Sequence, residues 1–177
     1  MLCGIDEAGR GSMLGDIVIA GISCGEDEVE HLREIGVKDS KKLNKRKRAE
    51  LYEILTSEFK YYVVRIPPSE IDRRSISLNE LEGEKFGDII NVLMPAKAYL
   101  DCADAVPANF KNHVMKKLNC DCELIVEHRA DVVYPIVSAA SIIAKVERDA
   151  GIEKLREKYG EIGSGYPSDP KTIAFLE

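Results

Sequence analysis

Residues 2–24 read LCGIDEAGRGSMLGDIVIAGISC, and this stretch determines how the sheet begins. Its two ends, residues 2–5 and 16–24, are rich in apolar side chains and predict two β-strands. Three glycines between positions 9 and 15 interrupt the chain and predict a hairpin-like connection. The sheet is therefore expected to start with an antiparallel pair of strands.

The rest of the chain alternates between strand and helix patterns. Three more strands are predicted at residues 60–66, 96–100 and 123–127, and four helices at residues 44–59, 77–93, 107–118 and 135–159. Antiparallel strands followed by strands that alternate with helices imply an α/β fold, with a mixed five-stranded sheet flanked by helices. With 177 residues, we expect one domain spanning residues 1–177.

Composition excludes several classes of protein. No run approaches roughly 18 apolar residues, so we expect no membrane span, and the chain lacks the opening pattern of a signal peptide. We therefore expect a cytoplasmic protein. The 5 cysteines are irregularly spaced and do not suggest a disulfide framework. Cys120 and Cys122 lack the second Cys or His pair that a zinc site needs.

The net charge of −6 argues mildly against nucleic-acid binding, but the charges are unevenly distributed. Residues 38–48 contain 7 Lys and Arg residues and one acid, Asp39. Such a segment is either a solvated helix face or a local attraction for phosphate groups in a protein that is acidic overall.

Acidic side chains follow three of the predicted strands. Asp6 and Glu7 come directly after the first strand, Asp101 ends the fourth, and Asp131 lies shortly after the fifth. Each has an ordinary alternative, such as a loop acid or a helix N-cap. If the strands are neighbours, the four carboxylates converge and repel one another, and divalent cations would remove that repulsion. Oxygen ligands without nearby His or Cys favour Mg²⁺ or Mn²⁺, and two such ions suit phosphoryl displacement.

Five segments, in order from residue 4 to about residue 172, resemble the sequence elements of ribonuclease HII, in its archaeal form. They are GIDEAGRG (4–11), KDSKKL (38–43), YLDCAD (99–104), EHRADVVYPIVSAASIIAKV (127–146) and GSGYPSDP (163–170). The resemblance implies a ribonuclease H-like fold. It also implies that the four acids bind two Mg²⁺ or Mn²⁺ ions, and that the RNA strand of RNA–DNA hybrids is cut 5′ to ribonucleotides, including ribonucleotides embedded in a DNA duplex.

The same resemblance assigns substrate contacts. Gly9, Arg10 and Gly11 would address the ribose 2′-hydroxyl through their backbone, since glycine lets a ligand approach closely. Tyr166 would stack on the sugar at the RNA–DNA junction. Ser40, Lys41 and Lys42 are expected to contact phosphates, although Asp39 or Ser40 could instead cap a helix. Lys145 shares one helical stripe with Ser138 and Ser141 and is expected to contact the substrate or the active site.

Several points stay open at this stage. Asp104 follows Asp101 by three residues, and Asp101 is preferred because it ends the strand. Members of the family commonly continue past residue 177, sometimes with a tail that binds a sliding clamp. This chain shows no such tail, so the sequence does not support clamp contact. Separately, we expect a monomer. Three alternative functions remain: another nuclease of the same fold, a phosphatase with an aspartate nucleophile, and a hybrid-binding module without catalysis. The phosphatase would need Asp-x-Asp after the first strand.

Overall fold

A five-stranded mixed sheet forms the centre of the computed structural model, which describes residues 1–38 and 42–177. Its strands are β1 (Leu2–Ala8), β2 (Ile17–Cys24), β3 (Lys60–Ile66), β4 (Lys97–Asp101) and β5 (Glu123–Glu127). Their order across the sheet is β3-β2-β1-β4-β5. The pairs β1–β2 and β2–β3 are antiparallel, whereas β1–β4 and β4–β5 are parallel. This confirms the predicted α/β fold with a mixed five-stranded sheet.

Helices connect the strands and cover the sheet. In the described ranges they are α1 (Val29–Glu34), α2 (Lys45–Glu58), α3 (Pro68–Arg73), α4 (Leu78–Leu93), α5 (Pro107–Lys117), α6 (Ala130–Val133), α7 (Pro135–Tyr159) and α8 (Pro170–Leu176). The four predicted helices correspond to α2, α4, α5 and α7. The short helices α3, α6 and α8 are not predicted, because fewer than eight residues hardly show a helical period. No helix of the described ranges is both long enough and apolar enough to cross a membrane.

Local capping explains where the long helices begin and end. The side chains of Asn44 and Ser77 accept backbone N–H bonds from the first turns of α2 and α4. Pro135 stands at the start of α7, where its missing N–H costs nothing. Gly160 ends α7 with a φ of 83°, a conformation that glycine adopts without strain.

Two apolar layers hold the helices against the sheet. On one face, α7 packs on β1 and β2 and is itself covered by α1 and α2. On the other face, α4 packs on β2 and β3, and α5 packs on α4 and β5. Helix α7 approaches β1 very closely, because a Cβ on Gly4 would lie 2.4 Å from the backbone of Ile136. This contact places the buried first half of α7 directly over the polar end of β1.

One prediction about β1 is wrong. Asp6 and Glu7 lie inside the strand and do not follow it, since β1 stays paired with β2 as far as Ala8 opposite Val18. Successive strand residues point to opposite faces, so the two acids are directed to different sides of the sheet. Asp131 lies within α6 and does not cap α7.

Candidate active site

Three of the four predicted acids meet at one end of the sheet. Carboxylate oxygens of Asp6, Asp101 and Asp131 all lie within 4.8 Å of one another. The parallel register of β1 and β4 pairs Ile5 with Leu100, so that Asp6 and Asp101 follow side by side. Helix α6 brings the third acid, because the backbone N–H of Asp131 donates to Asp101 Oδ2 at 3.2 Å. We call these three side chains the carboxylate group.

Burial and a neighbouring acid disfavour the ionised form of Asp6 in the carboxylate group. The side chain of Asp6 is only 8% exposed, and its pKa rises from 3.8 to about 7, first because of burial and then because of Asp101. Hydrogen bonds partly offset this: Asp6 accepts from the Glu7 N–H at 2.8 Å and interacts with the Ser141 hydroxyl. Ser141 in turn accepts from Lys145 Nζ at 2.8 Å. The predicted stripe on α7 therefore reaches the carboxylate group through Ser141.

Glu7 faces the other side of the sheet. Burial raises its pKa well above the usual range, and Asp6 and Glu82 raise it further, while Arg10 lowers it. Its Oε2 atom is buried and has no hydrogen-bond partner among the described residues. Glu7 thus follows Asp6 directly in sequence, and one of its buried carboxylate oxygens lacks a hydrogen-bond partner among the described residues.

Beneath Glu7 lies an ion pair that sequence reasoning missed. Arg10 donates to the fully buried Glu82 and, at 2.6 Å, to Asn79 Oδ1, both on α4. Burial raises the pKa of Glu82 to about 7, and Arg10 counteracts that rise. The sequence signal that could have revealed this pair is Glu82 itself, an acidic residue among the apolar positions of α4 and three residues after Asn79. Arg10 is predicted to contact the substrate through its backbone, and the structure shows its side chain held by α4.

The donor set of the carboxylate group fits a hard divalent cation. All of its ligand atoms are carboxylate oxygens, and in the described ranges it includes no His or Cys. Burial, and after it repulsion from Asp101, raises the pKa of Asp6, and a bound cation would counteract that rise. Asp6, Asp101 and Asp131 are therefore the residues that would hold such an ion.

The glycine segment after β1 forms a tight turn beside these acids. Gly9 and Gly11 have φ values of 96° and 76°, which non-glycine residues rarely adopt. Ser12 closes the turn, its N–H and hydroxyl both donating to the Gly9 carbonyl at 3.1 and 2.7 Å. A Cβ on Gly11 would meet no atom within 4 Å, so the backbone there borders open space.

A second loop lies against this turn. The N–H groups of Met13 and Leu14 donate to the Gly165 carbonyl at 2.7 and 3.2 Å. Tyr166, the next residue, is partly exposed, and the Arg148 guanidinium lies 4.3 Å from its ring centroid. The structure thus brings together the predicted ribose-reading turn and the predicted stacking tyrosine.

Of the predicted phosphate contacts, Lys42 is exposed. Ser40, Lys41 and the alternative cap Asp39 lie outside the described residues. Asp104 is separate from the carboxylate group: it accepts from Asn79 at 2.8 Å and from the Val106 N–H at 2.9 Å, and these bonds lower its pKa.

The chain is similar to known ribonucleases over almost its whole length. The family model described as ribonuclease HII matches residues 3–177. Ribonuclease HII of Pyrococcus furiosus is 50% identical over 177 residues, covering 98% of this chain and 79% of that protein. The crystal structure of ribonuclease H2 from Pyrococcus horikoshii superposes with a TM-score of 0.93 at 49% identity, over 99% of this chain and 84% of that chain. Ribonuclease HII in its complex with PCNA from Archaeoglobus fulgidus also has a TM-score of 0.93, at 42% identity, over 99% and 85% of the two chains. The chain therefore belongs to the ribonuclease HII family, a family of RNA-cleaving enzymes with a ribonuclease H-like fold.

Proposed function

We propose that this ribonuclease H of RNA–DNA hybrids cuts 5′ to ribonucleotides, including single ribonucleotides embedded in a DNA duplex, with two divalent cations. The observation that carries the proposal is the carboxylate group, whose oxygens all lie within 4.8 Å of one another. Asp6 of this group is on β1, the strand that leads into the Gly9–Gly11 turn. Family membership supports the action on hybrids. We also propose that residues 1–177 form one catalytic domain, since one sheet carries both apolar layers.

The carboxylate group and Glu7 are assigned to metal binding. When bound, divalent cations would activate water and stabilise the leaving oxygen of an in-line phosphoryl displacement. Asp6, Asp101 and Asp131 would hold them through oxygens that already converge. Glu7 is included because its buried Oε2 has no partner among the described residues. Ser141 orients Asp6, and Lys145 supports Ser141 from the next turn of α7.

The ribose-reading role of the turn is supported by its backbone. Gly11 borders open space, so a sugar can approach without meeting a Cβ. A site whose polar groups pair with the 2′-hydroxyl rejects DNA, because those groups remain unpaired when the hydroxyl is missing. Tyr166 offers an aromatic face for the sugar next to this turn. Lys42, together with Ser40 and Lys41, is assigned to phosphates of the backbone.

The test is cleavage of a DNA duplex that contains one ribonucleotide. With Mg²⁺ or Mn²⁺ we expect a single cut 5′ to the ribonucleotide, leaving a 3′-hydroxyl and a 5′-phosphate, and no cut with excess chelator. Asp6→Asn and Asp101→Asn should abolish the cut while leaving the fold intact. Asp104→Asn is the matched control and should still cut, because its carboxylate faces Val106 and Asn79.

Other outcomes identify the alternatives. A gel shift without cleavage would indicate a hybrid-binding module. Cleavage of a four-way DNA junction, with the ribonucleotide duplex left intact, would indicate another nuclease of the same fold. Near-normal cleavage by Asp101→Asn would refute the assignment of the carboxylate group.

A further inference from the structure

We propose that Arg148 is a positioning residue that holds the Gly9–Gly11 turn and Tyr166 in register with the carboxylate group, so that ribonucleotide cleavage depends on it. The proposal rests on the function proposed above. Arg148 is on α7, and its side chain is 5% exposed.

The guanidinium of Arg148 is enclosed by two glycines. A Cβ on Gly9 would lie 2.9 Å from Arg148 Nε, and a Cβ on Gly165 would lie 3.1 Å from Arg148 Nη2. Both glycines have positive φ, 96° and 84°. The two turns therefore approach the same guanidinium so closely that a side chain at either position would displace it.

Tyr166 covers the guanidinium from a third direction. The Arg148 Cζ atom lies 4.3 Å from the centre of the Tyr166 ring, within the range of a cation–π contact. Arg148 Nη2 also donates to the Ser164 carbonyl at 3.1 Å, two residues before the tyrosine. One buried side chain thus touches both loops that are assigned to the ribonucleotide.

Helix α7 relates these loops to the acids. Ser141, which hydrogen-bonds to Asp6, precedes Arg148 by seven residues on the same helical stripe. At a rise of about 1.5 Å per residue, the two positions are roughly 10 Å apart along the helix axis. Because a helix of this length is stiff, Arg148 would fix the distance from the carboxylate group to the stacking tyrosine.

Burial without full pairing argues against a purely structural role. The Nε atom of Arg148 is buried and has no hydrogen-bond acceptor in the described part of the chain, and Asp149 is 4.0 Å from Nη1. A buried charge with incomplete partners is unfavourable for stability, and a leucine or methionine would pack at less cost. An arginine at this position is explained if the planar cation is needed to orient Tyr166.

Arg148→Met is the main variant, with Arg148→Lys as a second that keeps the charge but loses the planar fork. The matched control is Arg65→Met, because Arg65 lies near the same part of α7 but pairs with Glu147 at 2.5 Å. The substrate is the DNA duplex with one ribonucleotide. We expect Arg148→Met to lower kcat/KM by roughly 10- to 100-fold, mostly through kcat, as displacement of a bound substrate by about 1 Å does. Arg148→Lys should retain part of the activity, and Arg65→Met should match the unmodified chain.

The decisive measurement adds Arg148→Met to Tyr166→Ala. If Arg148 acts through the tyrosine, its loss costs much less in the Tyr166→Ala background than alone. Equal losses in both backgrounds, or Arg148→Met activity equal to that of Arg65→Met, would overturn the inference. Should thermal unfolding show that Arg148→Met does not fold, Arg148→Lys decides, and full activity there also overturns it. Failure of the unmodified chain to cut this duplex would instead refute the proposed function.

Discussion

Asp101→Asn should stabilise the metal-free protein while it abolishes cleavage. The substitution removes one negative charge from the carboxylate group and keeps an acceptor for the Asp131 N–H. Activity and stability then change in opposite directions, which is the behaviour expected of an acid retained for metal binding.

The size of the gain can be bounded from the structure. Two charges at the largest separation in the group, 4.8 Å, repel by about 3.5 kcal/mol at an effective dielectric of about 20, before screening by salt and water reduces the energy. The rise in the pKa of Asp6 from 3.8 to about 7 corresponds to about 4 kcal/mol between its two protonation states. Burial is the largest effect that raises this pKa and Asp101 the second, so Asp101 supplies less than half of the upward shift before hydrogen bonds reduce it. We expect Asp101→Asn to raise the free energy of unfolding by about 1–2 kcal/mol.

The sign of the pH dependence follows from the direction of the shift. The pKa of Asp6 is higher in the folded chain, so stability is fully present below pH 3.8 and is lost as the pH rises through about 7. The gain from Asp101→Asn should therefore be large near pH 8, where Asp6 is ionised, and small near pH 5, where it is protonated.

Urea unfolding followed by far-UV circular dichroism, with chelator at about pH 8 and about pH 5, measures this directly. Asp104→Asn is the control, because it loses favourable hydrogen bonds and should bring no gain. Lower stability of Asp101→Asn than of the unmodified chain near pH 8, or an equal gain at both pH values, would refute the reasoning.

Three further predictions concern the turn, the tyrosine and the buried ion pair. Tyr166→Ala should lower kcat/KM about tenfold and Tyr166→Phe much less, because stacking needs the ring; equal losses in cleavage assays would contradict this. Gly9→Ala should lower the free energy of unfolding more than Gly11→Ala, because a Cβ on Gly9 would lie 2.6 Å from a backbone carbonyl oxygen. Gly11→Ala should lower it by only about 1–2 kcal/mol, the cost of a positive φ, but should lose ribonucleotide cleavage. Comparable unfolding curves for the two would argue against the geometry. Glu82→Ala should cost about 2 kcal/mol of stability, and Glu82→Gln less, since only the first leaves Arg10 Nη1 without its acceptor. Urea unfolding of both variants checks the order.

Much of the fold follows from local signals in the sequence. Strand β3, strand β5 and helix α7 have the predicted boundaries, because apolar periodicity and flanking Pro and Gly residues act within a few positions. The extent of β1 was underestimated, since two consecutive acids look like the end of a strand. Pairing with the entirely buried β2 carries the strand through them.

The candidate site is less accessible to such reasoning. Acids placed near strand ends predict convergence, and the structure brings Asp6, Asp101 and Asp131 together while directing Glu7 to the other face. The Arg10–Glu82 pair spans 72 positions in sequence and has no local pattern. Arg148 likewise looks like one more charge on a helix, because its contacts come from turns that only the fold brings near.

The location of bound Mn²⁺ tests the central claim most directly. Crystals grown with Mn²⁺ and measured at the manganese absorption edge should show anomalous peaks coordinated by Asp6, Asp101 and Asp131, and these peaks should disappear in Asp101→Asn. Strong peaks elsewhere in the molecule, with the carboxylate group empty at saturating Mn²⁺, would contradict the account.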